Sequence, residues 1–213
     1  MADNRDALRP YVADMAAVEK HILEAIERQS KDDDIRQFPD AAQWVDRTQG
    51  ILRRHVEELE NHLKSFDGGS VAGTVKEAVT GVLGVFAGLY DKVRKDTASR
   101  ALRDDYTALS LAAISYTMLH TTALGLNQGT TAQLALANLK ELTPLIMDAA
   151  ELIPKVVLKD LAFQGYTIDT TVGEQAARNT QEAWRPDHAT ATAGAFGSSS
   201  SSFGSTGGGS FNR

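Results

Sequence analysis

Two histidines and a glutamate, His55, Glu58 and His62, follow one another at spacings of three and four residues, which places all three on one side of an α-helix. Imidazole nitrogens and carboxylate oxygens are the side-chain groups that carry protons near neutral pH and ligate iron, manganese or zinc. The arc they share also carries Trp44, Ile51, Leu52, Val56, Leu59, Leu63 and Phe66, so the imidazoles point partly into an apolar face, with Glu58 at its edge. A helix that spends core positions on such groups either satisfies them with partners from neighbouring helices or uses them to hold a metal. Other polar residues share this unusual placement. Glu19 lies on a stripe between Met15 and Ile22, Asp105, Tyr116 and His120 lie on the apolar arc of a later segment, and Asn138 interrupts a leucine-rich one. Gathered at one point, Glu19, His55, Glu58, His62 and His120 form a candidate metal-ligand set. Distributed over facing helices, the same residues form a buried hydrogen-bond network.

The elements that must position these groups are read from a 3.6-residue apolar period. A first helix is expected over 6–29, with Leu8, Tyr11, Val12, Met15, Val18, Ile22 and Ile26 inward and Pro10 tolerated near its first turn. After a polar, acidic break, Asp40 and Gln43 form a capping-box pattern that opens a second helix ending at Asp67-Gly68-Gly69. The glycine-rich segment 70–95 reads as one or two short helices, each glycine costing roughly 1 kcal/mol of helix propensity relative to alanine. A third helix is expected over 98–126, with Leu102, Leu109, Leu119 and Leu124 inward and Ile114 and Met118 off the main arc, as is Leu23 of the first helix. Thr130 and Gln133 suggest the cap of a fourth helix, which Pro144 and Pro154 are expected to kink or divide before a last helical piece over 156–163.

Composition narrows the function classes. A net charge of −6, a pI near 5.4 and the lack of any basic block give no field for nucleic acid. There is no cysteine, which excludes disulfides, thiolate metal sites and cysteine nucleophiles. The longest apolar stretch, 79–90, falls well short of the roughly 20 residues of a membrane-spanning helix, and the N-terminus has no apolar signal-peptide core. The expectation is a soluble, cytoplasmic protein with no stable membrane insertion. Residues 1–188 are expected to form one domain. Residues 189–213, nearly all Ala, Thr, Gly and Ser with Phe196, Phe203 and Phe211, are expected to be a disordered tail able to contact a protein partner.

Four long helices with a helical crossover between the second and third make the expected fold all-α and resemble a ferritin-like four-helix bundle. Within that superfamily, Ala17-Val18-Glu19-Lys20-His21-Ile22-Leu23 and His55-Val56-Glu57-Glu58-Leu59-Glu60 are similar to the first two helices of the small bacterial stress-associated YciE/YciF-type ferritin-like proteins. The resemblance spans about 11–152 and implies a carboxylate-bridged di-metal centre of iron or manganese. Glu19 and the Glu57/Glu58 pair match that pattern. Thr107 and Ser110 stand where the family's third helix has glutamates, and Ala137-Asn138-Leu139-Lys140-Glu141-Leu142 replaces an acidic run in its fourth. The chain has no Glu-x-x-His at all. The resulting expectation is a metal-depleted, non-catalytic bundle, linked to stress, that works through homodimerisation, larger self-association or partner binding. The alternative is a metal-binding oxidase with a non-standard site.

Overall fold

Four long helices carry the same pattern, buried residues recurring at steps of three and four, and the four seams close on one another. In the computed structural model, which describes residues 4–67 and 97–185, these helices are α1 (Asn4–Gln29), α3 (Pro39–Asp67), α4 (Ala98–Gly125) and α5 (Gly129–Phe163). A single turn, α2 (Asp33–Arg36), and a short helix, α6 (Gly173–Ala183), complete the elements, with a 3₁₀ turn over Thr170–Val172. The described residues are all-helical, without a strand. None of their helices is long and apolar enough to cross a membrane. The predicted segment 70–95 and tail 189–213 lie outside the described residues.

The seams are explicit. Leu8, Val12, Met15, Glu19, Ile22 and Ile26 are buried along α1, and Ala41, Val45, Thr48, Leu52, His55, Leu59 and Leu63 along α3. Leu102, Asp105, Leu109, Ala112, Tyr116, Leu119 and Ala123 are buried along α4, and Ala135, Asn138, Leu142, Leu145, Ala149, Leu152 and Val156 along α5. Spacings that average 3.5 residues keep one face of each helix on its neighbours over many turns, the geometry of bundle packing. Each seam contributes one polar residue to a common level of the bundle: Glu19, His55, Tyr116 and Asn138.

Cross-helix bonds give the directions. Glu27 pairs with Arg53 (2.7 Å) and Arg5 donates to the Ser65 carbonyl, so α1 and α3 are antiparallel. Asn4 reaches the Leu126 carbonyl (3.2 Å) and Gln29 reaches Asp105 (2.9 Å), so α1 and α4 are antiparallel as well. The Trp44 indole N–H donates to the Leu145 carbonyl (3.0 Å) and His62 bonds Thr131 (2.8 Å), so α3 runs antiparallel to α5. It follows that α3 and α4 are parallel. At the N-terminus of α4, Thr97 makes no side-chain cap bond, and Asp160 of α5 accepts from the Ser99 N–H (2.9 Å) in its place.

Several local expectations are corrected. The helix expected to be kinked or divided at its prolines is undivided over 35 residues, with Pro144 and Pro154 inside it. Pro144 is exposed and Pro154 half-buried, while Leu142, Leu145, Ala149, Leu152 and Val156 stay buried on the other side. Burial of that face offsets the roughly 3 kcal/mol that an interior proline costs. Asp40 is not the N-cap of α3. Pro39 is its first residue, a position where the missing N–H is not needed, and Asp40 lies in the first turn, where a carboxylate suits the helix dipole. The α5 helix starts at Gly129, and Gln128 precedes it without a side-chain cap. Tyr11 and Leu124, expected inward, are 40% and 57% exposed. The acidic break contains α2, capped by Asp32, whose buried Ile35 and neighbouring Phe38 plug the end of the bundle. The poorly patterned stretch before residue 186 contains α6, and Trp184 after it stacks on Tyr106 of α4 (6.1 Å between ring centres).

Candidate functional site

One polar group from each long helix meets at mid-bundle because each occupies a seam position at the same level. His55, fully buried on α3, is held between two carboxylates. Its Nδ1 lies 3.1 Å from Glu19 Oε1 of α1, and its Nε2 lies 3.2 Å from Glu141 Oε2 of α5. Glu141 sits at the bundle surface, where Arg54 holds the same oxygen; Arg54 also lies 3.9 Å from Glu58. Tyr116 of α4 packs edge-on against the His55 ring, 6.3 Å between centres. Asn138 of α5 donates from Nδ2 to the Tyr116 hydroxyl oxygen (2.9 Å). Because that oxygen accepts from Asn138, its own proton is free for the Glu19 carboxylate, which the phenol stabilises in its charged form. Glu19 Oε2 is buried and makes no hydrogen bond among the described residues.

The electrostatics follow from burial working against pairing. Burial raises Glu19 above the ordinary carboxyl range, and the bonds and charge from His55, with help from Tyr116, oppose that rise without cancelling it. Burial also disfavours a charge on His55, but the bonds and charges of Glu19 and Glu141 outweigh it and lift the imidazole above its usual value. Burial, then the Glu19 charge, pushes the Tyr116 phenol far above the range in which it could ionise. The cluster therefore holds a proton that the unfolded chain would release.

Of the five residues singled out as ligands, two are brought together, Glu19 and His55. Glu58 is exposed beside Arg54. His62 lies two turns along α3, its Nε2 2.8 Å from Thr131 Oγ1 and its ring edge-on to Phe66, and burial followed by the Arg5 charge lowers its pKa. His120 is half-buried and bonds the Ala132 carbonyl through Nδ1 (2.8 Å), tying α4 to α5. Among the described residues no three His, Asp or Glu side chains converge as metal ligands. As arranged, the donor set does not fit a two-metal centre. Both His55 nitrogens are engaged on opposite sides of the ring, and α4 and α5 offer a phenol and an amide at the level where acidic ligands are needed.

Two participants were not legible as such. Glu141 stands at the margin of its apolar arc, and its contact with His55 depends on how α5 is set against α3. Asn138 is visible as an inward polar residue, yet its partner Tyr116 lies 22 residues away across the α4–α5 turn. The spacing of Asn138 and Glu141, three residues apart on one side of α5, is the sequence signal that links them. A separate open cleft between α3 and α5 is lined by Trp44, Arg47, Asp148, Glu151 and Lys155. Arg47 and Asp148 pair within it, and Gln181 of α6 donates to Glu151. Comparison of the chain with family models, with curated proteins and with solved structures finds no match in any of the three.

Proposed function

We propose that this chain is a ferritin-like bundle in which a structural hydrogen-bond network stands at the level of the metal centre, and that it works by association without catalysis. The observation that carries the reading is the engagement of both His55 nitrogens by carboxylates from two different helices. An imidazole so held has no lone pair to give a metal or to take a proton from a substrate. The parallel course of α3 and α4 supports the ferritin-like element, since a long crossover between the second and third long helices of a bundle makes them parallel. The resemblance to YciE/YciF-type proteins extends the proposal to a role during stress. The tail 189–213 is the proposed contact for a further protein partner. A metal-binding alternative rests on one observation, the buried and unbonded Glu19 Oε2.

Metal analysis of protein purified from cells supplied with iron and manganese separates the two readings. The network reading expects neither metal at a stoichiometric level after extensive dialysis. Two tightly held ions per chain would replace it with the di-metal alternative.

A further inference from the structure

None of the chain's 22 basic and 28 acidic residues falls between Tyr106 and Leu139, a run that covers most of α4, the turn after it and the first three turns of α5. Charge is otherwise spread through the described helices. Much of this run is at the surface. Thr107, Ile114, Thr117, Met118, Thr121 and Leu124 of α4 are all exposed, Ile114 at 56% and Met118 at 55%. Polar side chains on this side are turned back on their own helix: Thr107 donates to the Arg103 carbonyl, Thr117 to Ala113 and Thr121 to Thr117. Their outward surface is accordingly methyl-rich and poor in free donors.

The spacing on this outer face is the second unusual feature. Thr107, Leu111, Ile114, Met118, Thr121 and Gly125 follow at steps of four and three, the same period that builds the four inner seams. Such a row keeps one edge of a helix on a partner helix for about 27 Å, at 1.5 Å per residue. The inner seam of α4, through Leu109, Ala112, Tyr116 and Leu119, is already filled by the bundle. On α4 two rows therefore run on opposite sides: the inner one is filled by the bundle, while on the outer one Leu111 is half-buried against the core and Ile114 and Met118 stand exposed among the described residues.

We infer that the outer seam of α4 is the surface on which a second copy of this chain docks, α4 against α4 across a two-fold axis. This rests on the reading that the protein works through association, and names the face. Charge selects the occupant. Each copy carries a net charge of −6, so most approaches of two copies set acidic surfaces against each other. On the uncharged face they meet without like-charge repulsion, and a row repeated at 3.5 residues is complementary to itself. A partner recognised through charge would find nothing on this face to read. One helix edge alone falls short of the about 800 Å² per partner of a standard interface, so the dimer should form in the micromolar range.

Sedimentation of the full chain over about 1–100 µM, compared with an Ile114→Lys/Met118→Lys variant, tests the inference. Both sites are exposed, so the variant should keep its helical circular dichroism and melting temperature. The wild type should sediment as a monomer–dimer equilibrium, and the variant's dimer should be weakened at least about 100-fold. Mixing that variant with Ile114→Glu/Met118→Glu should restore a dimer made of one copy of each. A wild type that stays monomeric, or two proteins that dimerise alike, would overturn the assignment. So would a variant that melts earlier at unchanged mass, which would show the seam covered from within the chain, or a monomeric wild type that floats with phosphatidylcholine–phosphatidylglycerol vesicles. A metal-loaded protein that still loses its dimer in the variant would keep this interface while removing the non-catalytic reading.

Discussion

Replacing His55 by leucine should cost the fold about 3–5 kcal/mol at neutral pH, because it leaves the fully buried Glu19 carboxylate facing an apolar side chain. The volume change is small, so the loss comes from an uncompensated charge and not from a cavity. The cost should shrink toward acid pH, where Glu19 takes a proton. Removing both partners in a Glu19→Gln/His55→Leu variant should recover part of the loss, since a neutral amide in the core is cheaper than an orphaned carboxylate. Urea denaturation of the wild type, the two single variants and the double variant closes the cycle. A coupling near zero would mean that the two residues stabilise the bundle independently.

A second large effect is expected in the pH dependence of stability. The His55 pKa lies above its ordinary 6.5, so its contribution is present in full below that value and is lost as pH rises through the raised one. Glu19 is also raised, from 4.5, and its contribution likewise falls away as pH rises. The two shifts therefore act in one direction. His21 and His62 are lowered, chiefly by burial, and act in the other, their contribution being present above 6.5 and lost as pH falls. The wild type minus the Glu19→Gln/His55→Leu variant isolates the network. That difference should decline from about pH 5 upward, by up to about 1.4 kcal/mol per pH unit for one shared proton. A difference that is flat, or that grows with pH, would show that the cluster holds no extra proton.

Periodicity made the long helices legible. The rows from Leu8 to Ile26 and from Ala41 to Leu63 step by three or four so regularly that Glu19 and His55 stand out as polar residues at core positions. Tyr116, Asp105 and Asn138 stood out for the same reason, and all three are buried. Where the pattern misled, a tertiary effect overrode a local one. Pro144 and Pro154 read as points of kinking or division, but both lie away from the α5 seam and the helix is undivided. Leu124 and Tyr11 read as core because they are apolar, but they lie on flanks that the bundle does not cover. α6 buries little beyond Ala177 and the backbone of Gly173, too weak a stripe to register. The His55–Glu141 contact could not be read at all, because it spans 86 positions and depends on the axial setting of two helices.

The claim that this cluster is a proton-holding network and not a metal centre is tested most directly on the His55 ring. Nitrogen-15 NMR of protein labelled in histidine, assigned with the His55→Leu variant, reports whether each ring nitrogen is protonated. Both nitrogens of His55 should carry protons at pH 7, and their shifts should not move when iron or manganese is added at two equivalents. A single-proton tautomer at that pH, or a His55 signal lost on addition of stoichiometric manganese while His21 and His120 are unaffected, would contradict the account.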